Sequence, residues 1–254
     1  FHFDTGMNRL GFRINEAGIV RRMIDQPGYL PQMVMSHFAC ADRPQHEKNR
    51  TQLALFHSVL QHFPNIPASL ANSAGMMTGR EYHFQLVRPG IALFGGRAVM
   101  GRRNPMHRVV SLEVPILQVK EARTGETVGY DGAQTLSRDS RLAIVAIGYA
   151  DGFLRSLSST NTRPGGKASV RGQIVPVAGR VSMDLVALDI TDLGGALPVP
   201  GEMVEILGPS ISVDDQADAA DTIGYEILTS LRGRYQRTYV DSMEEEPLPP
   251  PAPE

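Results

Sequence analysis

Cysteine occurs once in this 254-residue chain, at Cys40. That excludes an internal disulfide and fits a reducing compartment. Lysine occurs three times, at Lys48, Lys120 and Lys167, against 22 arginines. Any chemistry that needs an amine therefore has three candidates, each open to inspection. No apolar run approaches the ~18 residues of a membrane span. The net charge of −2 gives no electrostatic case for binding nucleic acid or an anionic membrane. No secretory leader is visible, and Phe1-His2-Phe3-Asp4 reads as a strand already under way, as if residue 1 were not the natural start. What is present is 42% hydrophobic residues, enough for one large domain or two ordinary ones.

The first ~95 residues, within a domain expected over residues 1–105, alternate short apolar runs with helical patterns. Strands are expected at Phe1 to Phe3, Gln32 to Phe38, Ile66 to Ala71 and Gln85 to Val87. Helices are expected at Asn15 to Gln26, Gln45 to Phe63 and Met76 to Phe84. In the second helix Leu53, Phe56 and Leu60 recur at helical spacing. Such alternation points to parallel βαβ units, and four strands could form half of an eight-stranded barrel but not close one. Residues 106–240 read differently. Short β-branched runs punctuated by glycine fall at Leu112 to Val119, Leu142 to Ile147, Ala168 to Arg171, Ile174 to Val177, Leu185 to Ile190 and Met203 to Leu207. They predict an all-β domain, helical again at residues 215 to 232. Residues 241–254 read as a disordered acidic tail, with five prolines and four glutamates after Met243.

Four motifs carry the chemistry. Asp4-Thr5-Gly6-Met7-Asn8-Arg9-Leu10-Gly11 follows a strand, and Arg9 there suits a carboxylate, which a guanidinium grips through two parallel charge-assisted bonds. The plain alternative is a turn with Arg9 solvated. An aspartic protease would need a second Asp-Thr-Gly, and the chain has none. Asn72-Ser73 and Gly90-Ile91 each follow a strand candidate, and main-chain N–H groups with a serine hydroxyl at adjacent strand ends make a phosphate cradle. Taken singly, each is an ordinary loop or turn. His37 ends the second strand candidate and could be structural. Cys40 reads as a small buried residue. In Gly148-Tyr149-Ala150-Asp151-Gly152 a tyrosine is flanked by small residues at a strand end. It is a turn tyrosine or, if its surroundings lower a phenol pKa of about 10, a base.

In this order and at these separations, the motifs resemble alanine racemase, with Gly179-Arg180-Val181-Ser182-Met183-Asp184 and Tyr225-Glu226-Ile227-Leu228-Thr229 extending the resemblance to about residue 240. The resemblance implies the C-terminal half of a pyridoxal-phosphate-binding (β/α)8 barrel followed by a mainly β domain. It implies a cytoplasmic homodimer that interconverts L- and D-alanine and supplies D-alanine for peptidoglycan. A lysine and a tyrosine from the other subunit would exchange the α-proton on opposite faces. Tyr149 matches that tyrosine. His37 matches the histidine that links it to an arginine, and Arg88 the arginine that bonds the pyridine nitrogen. Arg9 and Met183 match substrate contacts, Ser73, Gly90 and Ile91 phosphate contacts, and Asn72 stands beside them.

There are departures. His2 stands where some members have a carbamylated lysine. Gly233 falls near a phosphate-binding tyrosine of other members, with Tyr235 two residues on. The lysine motif Lys-Ala-Asn-Ala-Tyr-Gly has no counterpart, and none of the three lysines follows a barrel strand, so none is expected to hold the cofactor. The expectation is a chain lacking its first 120 to 130 residues and inactive alone. A racemase of another amino acid, or a non-catalytic derivative of the fold, remains as an alternative.

Overall fold

The computed structural model describes residues 1–25 and 31–240, so the proline-rich acidic stretch lies outside the described residues. The chain divides into two compact units, Phe1–Met106 and His107–Glu254.

The first unit is α/β and its strands are two residues long. β1 (Phe3–Asp4) pairs in parallel with β2 (Phe12–Arg13). α1 (Ala17–Ile24) buries Ala17, Val20 and Ile24, one face at helical spacing. β3 (Val34–Met35) pairs in parallel with β4 (Ala68–Ser69) across α2 (Glu47–Leu60). α3 (Ser73–Thr78) follows, and a 3-10 turn spans Ile91–Phe94. Parallel bridges His2 to Met35 and Asn72 to Arg88 extend the arc.

Three expectations change here. The fourth strand is a single bridge at Arg88. Pro89 has no N–H and restricts the residue before it, so the ladder stops. The third helix begins earlier, at Ser73, because the Asn72 side chain accepts the Gly75 N–H at 2.9 Å as its cap. It ends at Gly79, leaving a 3-10 turn over Arg80–Tyr82. Finally, the buried stripe of α2 is Asn49, Gln52, Phe56 and Val59, with Leu53 and Leu60 only half-buried at its margins.

The second unit is built on a closed six-stranded antiparallel barrel. Its strands are β5 (Leu112–Ala122), β8 (Ser140–Val145), β9 (Lys167–Val170), β10 (Gln173–Ala178), β11 (Val186–Asp189) and β12 (Met203–Leu207), with the small hairpin β6 (Thr127–Val128) and β7 (Gln134–Thr135) between the first two. The barrel order is β10-β11-β8-β5-β12-β9. All six expected strands are present. Alternation drives them: Val114 and Ile116, Val175 and Val177, Val186 and Leu188, Val204 and Ile206 all point inward. Each buried side chain of this size contributes roughly 1.5–3 kcal/mol. Closure also removes the unpaired edges an open sheet would expose. α4 (Val213–Ala220) and α5 (Gly224–Ser230) cover the core with Ala217, Ala220 and Ile227. Ser212 and Asp215 form a reciprocal capping box at the start of α4.

Candidate functional site

In the α/β unit the reactive groups cluster at strand ends. Beyond β1 the Asp4 carboxylate folds the following turn onto itself. Oδ1 accepts the N–H groups of Gly6 and Met7 at 2.8 Å each, and Oδ2 accepts that of Arg9 at 3.2 Å. Partial burial pushes this carboxyl up, but the backbone bonds outweigh it and hold its pKa below the usual value. Arg9 is thereby fixed at its main chain while its side chain stays exposed. Gly11 is required because an added Cβ would lie 2.9 Å from Asp4 N and His2 O.

One residue that the motifs did not reveal ties this turn to the end of β3. Gln52 is fully buried, and its Nε2 donates to Thr5 Oγ1 at 3.1 Å and to the His37 carbonyl at 2.9 Å. Its Oε1 accepts the Ala39 N–H at 2.9 Å. The only sequence signal was a glutamine on the apolar face of a helix.

Arg88 meets His37 directly. Its Nη2 lies 3.3 Å from His37 Nδ1, donates to the Ser36 carbonyl at 2.6 Å and reaches the Leu70 carbonyl at 3.4 Å, while Nη1 donates to Ser69 Oγ. A guanidinium can only donate, so Nδ1 accepts and the imidazole proton sits on Nε2. Burial first, then the charges of Arg88 and Arg9, lower the His37 pKa to about 4. Burial also lowers the pKa of Arg88. The result is a neutral imidazole backed by a cation whose hydrogen-bond partners are all uncharged. Nearby His2 is likewise lowered by burial and by Arg88.

At the next two loops, Ser73 Oγ sits where main-chain N–H groups converge, from Gly90 at 2.7 Å and Ala92 at 3.4 Å. Ile91 opens the 3-10 turn between them. A serine hydroxyl set among main-chain amides at adjacent strand ends suits the oxygens of a phosphate.

In the β unit Tyr149 follows β8 on a turn closed by the Gly148 N–H donating to Asp151 Oδ2 at 2.9 Å. Main-chain bonds from Tyr149 N to Ser182 O and from Ala150 N to Met183 O, both 3.0 Å, bring Tyr149 and Met183 together. Both side chains are exposed, at 42% and 52%. Gly148 admits the Met183 carbonyl, which would stand 2.2 Å from a Cβ.

The remaining residues are placed as follows. Lys48 lies in the first turn of α2, Lys120 in β5 and Lys167 at the start of β9. Tyr235 packs on the β-unit core, and its hydroxyl is buried without a hydrogen-bond partner among the described residues. Burial, then the Asp151 carboxylate, push its phenol up. Cys40 is half-exposed rather than buried.

Comparison with known proteins covers both units. The family descriptions "Alanine racemase, N-terminal domain" and "Alanine racemase, C-terminal domain" match residues 1–98 and 109–239. The alanine racemase of Rhizobium meliloti (strain 1021) is 48% identical over 246 residues, covering 94% of this chain and 65% of its own length. The solved structure of the biosynthetic alanine racemase from Pseudomonas aeruginosa is similar at a TM-score of 0.87 and 34% identity, covering 94% of this chain and 66% of that one. The alanine racemase from Bartonella henselae, solved with covalently bound pyridoxal phosphate, gives 0.83 and 36% over the same shares. The chain thus spans just under two thirds of the relatives it matches. With a mixed α/β domain and a β domain each matching in sequence and in structure, the chain belongs to the alanine racemase family.

Proposed function

We propose that this chain works in a pyridoxal-phosphate-dependent alanine racemase, interconverting L- and D-alanine and so supplying D-alanine for peptidoglycan. The observation that carries the reading is the Arg88–His37 contact, a cation held by neutral acceptors against an imidazole whose Nε2 proton is free to be donated. The parallel arc of the α/β unit supports reading it as the second half of a (β/α)8 barrel. No helix among the described residues is long and apolar enough to cross a membrane, and the unpaired Cys40 fits a cytoplasmic setting.

The residues fit the cofactor. Ser73, Gly90 and Ile91, with Asn72 capping α3, would hold its phosphate, and Arg88 would face its ring nitrogen. When bound, pyridoxal phosphate supplies the sink for the electron pair left at Cα. The chain's own groups do the rest. Arg9 grips the substrate carboxylate, and Met183 contributes through its main chain. Tyr149 takes and returns the α-proton on one face. A free phenol is almost fully protonated near neutral pH. The His37 Nε2–H, donated to the phenol oxygen with Arg88 behind it, would stabilise the phenolate as its proton leaves. We read the working unit as a homodimer, in which Tyr149 and Met183 of one copy serve the groups of the other. Their exposure within the single chain supports this.

In the complete protein, Tyr149→Phe keeps the ring and removes the proton carrier. Racemisation should fall about 10²- to 10⁴-fold in both directions, the usual weight of a positioned acid–base group. Cofactor binding, and exchange of the Cα proton of D-alanine with solvent deuterium, should survive. Racemisation at the parent rate would refute the assignment, and loss of cofactor with only a modest fall in turnover would make Tyr149 a packing residue. Mixing Tyr149→Phe subunits with subunits lacking the cofactor-binding lysine should restore one working site per mixed dimer.

A further inference from the structure

We propose that Arg234 is the positioning residue for Tyr149, bridging the tyrosine loop to the methionine loop through two carboxylates. The inference rests on the racemase reading above and adds a residue to it. Arg234 Nη1 lies 2.8 Å from Asp184 Oδ1 and 3.2 Å from Asp151 Oδ1. Asp184 is the residue after Met183, and Asp151 is two residues after Tyr149. A single nitrogen therefore touches both loops that the racemase reading places at the substrate. Asp151 is nearly buried, and its other oxygen accepts the Gly148 N–H that closes the turn around Tyr149. A pull on this carboxylate is thus a pull on the turn itself.

The segment that carries Arg234 is anchored on both sides. Upstream, the Ser230 carbonyl runs against Gly152 so closely that a Cβ there would stand 2.0 Å away. Downstream, the Tyr235 ring packs on the β-unit core. The strap is held by its backbone and by an aromatic ring, so the ion pairs are not what keeps it in place. The Arg234 and Asp184 side chains are also about half-exposed, at 53% and 52%, where ion pairs add little to stability. What the bridge does fix is the offset between Tyr149 and Met183. The main-chain bonds from Tyr149 to Ser182 and from Ala150 to Met183 join the loops along one line, and Arg234 joins them along another. Proton transfer is sensitive to such an offset, since a displacement on the order of 1 Å at a reacting group can cost 10²-fold in rate.

The test uses Arg234→Ala, Arg234→Lys and Asp184→Asn in the complete protein, with Tyr149→Phe alongside. Arg234→Ala should lower kcat about 10- to 100-fold in both directions. KM for alanine, cofactor content and melting temperature should stay close to the parent. Because one nitrogen makes both contacts, an ammonium can replace it, and Arg234→Lys should recover most of the rate. Asp184→Asn should lower kcat in the same sense, and combining it with Arg234→Ala should add little, as for two partners of one interaction. An Arg234→Ala enzyme with kcat within twofold of the parent overturns the proposal. So does a lysine variant as slow as the alanine one, or a fall in kcat that simply follows a lowered melting temperature. If Tyr149→Phe racemises normally, the racemase assignment of Tyr149 fails. If Tyr149→Phe is inactive while Arg234→Ala is not, only the positioning role fails.

Discussion

The loop that carries Tyr149 is set by main chain lying on main chain, whereas the loop that carries His37 is set by side chains reaching main chain. In the β unit Gly148 and Gly152 let the carbonyls of Met183 and Ser230 approach to distances no side chain would permit. The strands beneath are long, closed into a barrel and filled with β-branched residues. In the α/β unit the strands are two residues long, and Gln52, Asp4, Ser69 and Arg88 supply the connections instead. The two designs should fail differently. One should keep its fold on losing an exposed charge but not on gaining a carbon. The other depends on charges and amide groups whose removal leaves the chain folded and the chemistry impaired.

Gly148→Ala and Gly152→Ala should have the largest effect. Each new Cβ meets a carbonyl, at 2.2 Å and 2.0 Å, and Gly152 has φ +100 besides. Backbone rather than a mobile side chain stands in the way, so overpacking and strain together should cost about 3 kcal/mol or more. Denaturant unfolding checks it. A loss below about 1 kcal/mol would mean that the Tyr149 loop has slack, and the contrast with the other unit would collapse.

Arg9→Ala should show the opposite pattern. Its side chain is exposed, and its N–H bond to Asp4 survives the substitution. Removing one charge-assisted carboxylate contact costs about 1.5–3 kcal/mol of substrate binding, roughly 10- to 150-fold in KM. Stability should change by less than about 0.5 kcal/mol. Unchanged steady-state constants would return Arg9 to a plain surface residue of the turn.

The same contrast explains what the sequence disclosed. The six barrel strands were legible because Val175 and Val177, or Val186 and Leu188, alternate with outward residues over several positions. A two-residue strand has no period to detect. β2 escaped notice for that reason, since Phe12 and Arg13 are both exposed. Gln85 to Val87 looked like a strand by composition, yet Pro89 limits the pairing to one bridge at Arg88. Among the site residues, Arg88 and His37 are 51 positions apart, and their pairing came from resemblance, not from spacing. Gln52 was hidden because a buried polar residue among apolar neighbours breaks the pattern by which helix faces are read.

The smallest expected effect is also the one that isolates the α/β unit from the β unit, and it concerns acid. The His37 imidazole, ordinarily near 6.5, has a folded pKa of about 4. Between those values the unfolded chain binds a proton that the folded chain refuses. Stability therefore rises with pH across that window and is lost as pH falls through it, levelling out below about 4, where both states are protonated. A shift of this size would correspond to about 3 kcal/mol if fully expressed, but His37 is only half-buried, and solvent screening should leave on the order of 1 kcal/mol. His37→Asn offers an amide oxygen to Arg88 in place of Nδ1 and does not titrate. Thermal unfolding followed from pH 6.5 to 4 should show the parent losing on the order of 1 kcal/mol more than His37→Asn. Asp4, whose pKa is also lowered, contributes equally to both curves and drops out of the difference. Parallel curves for the parent and His37→Asn would mean that the imidazole already carries a proton beside Arg88. Its Nδ1 would then be no acceptor, and the proton assignment that lets His37 support a deprotonated Tyr149 would be lost.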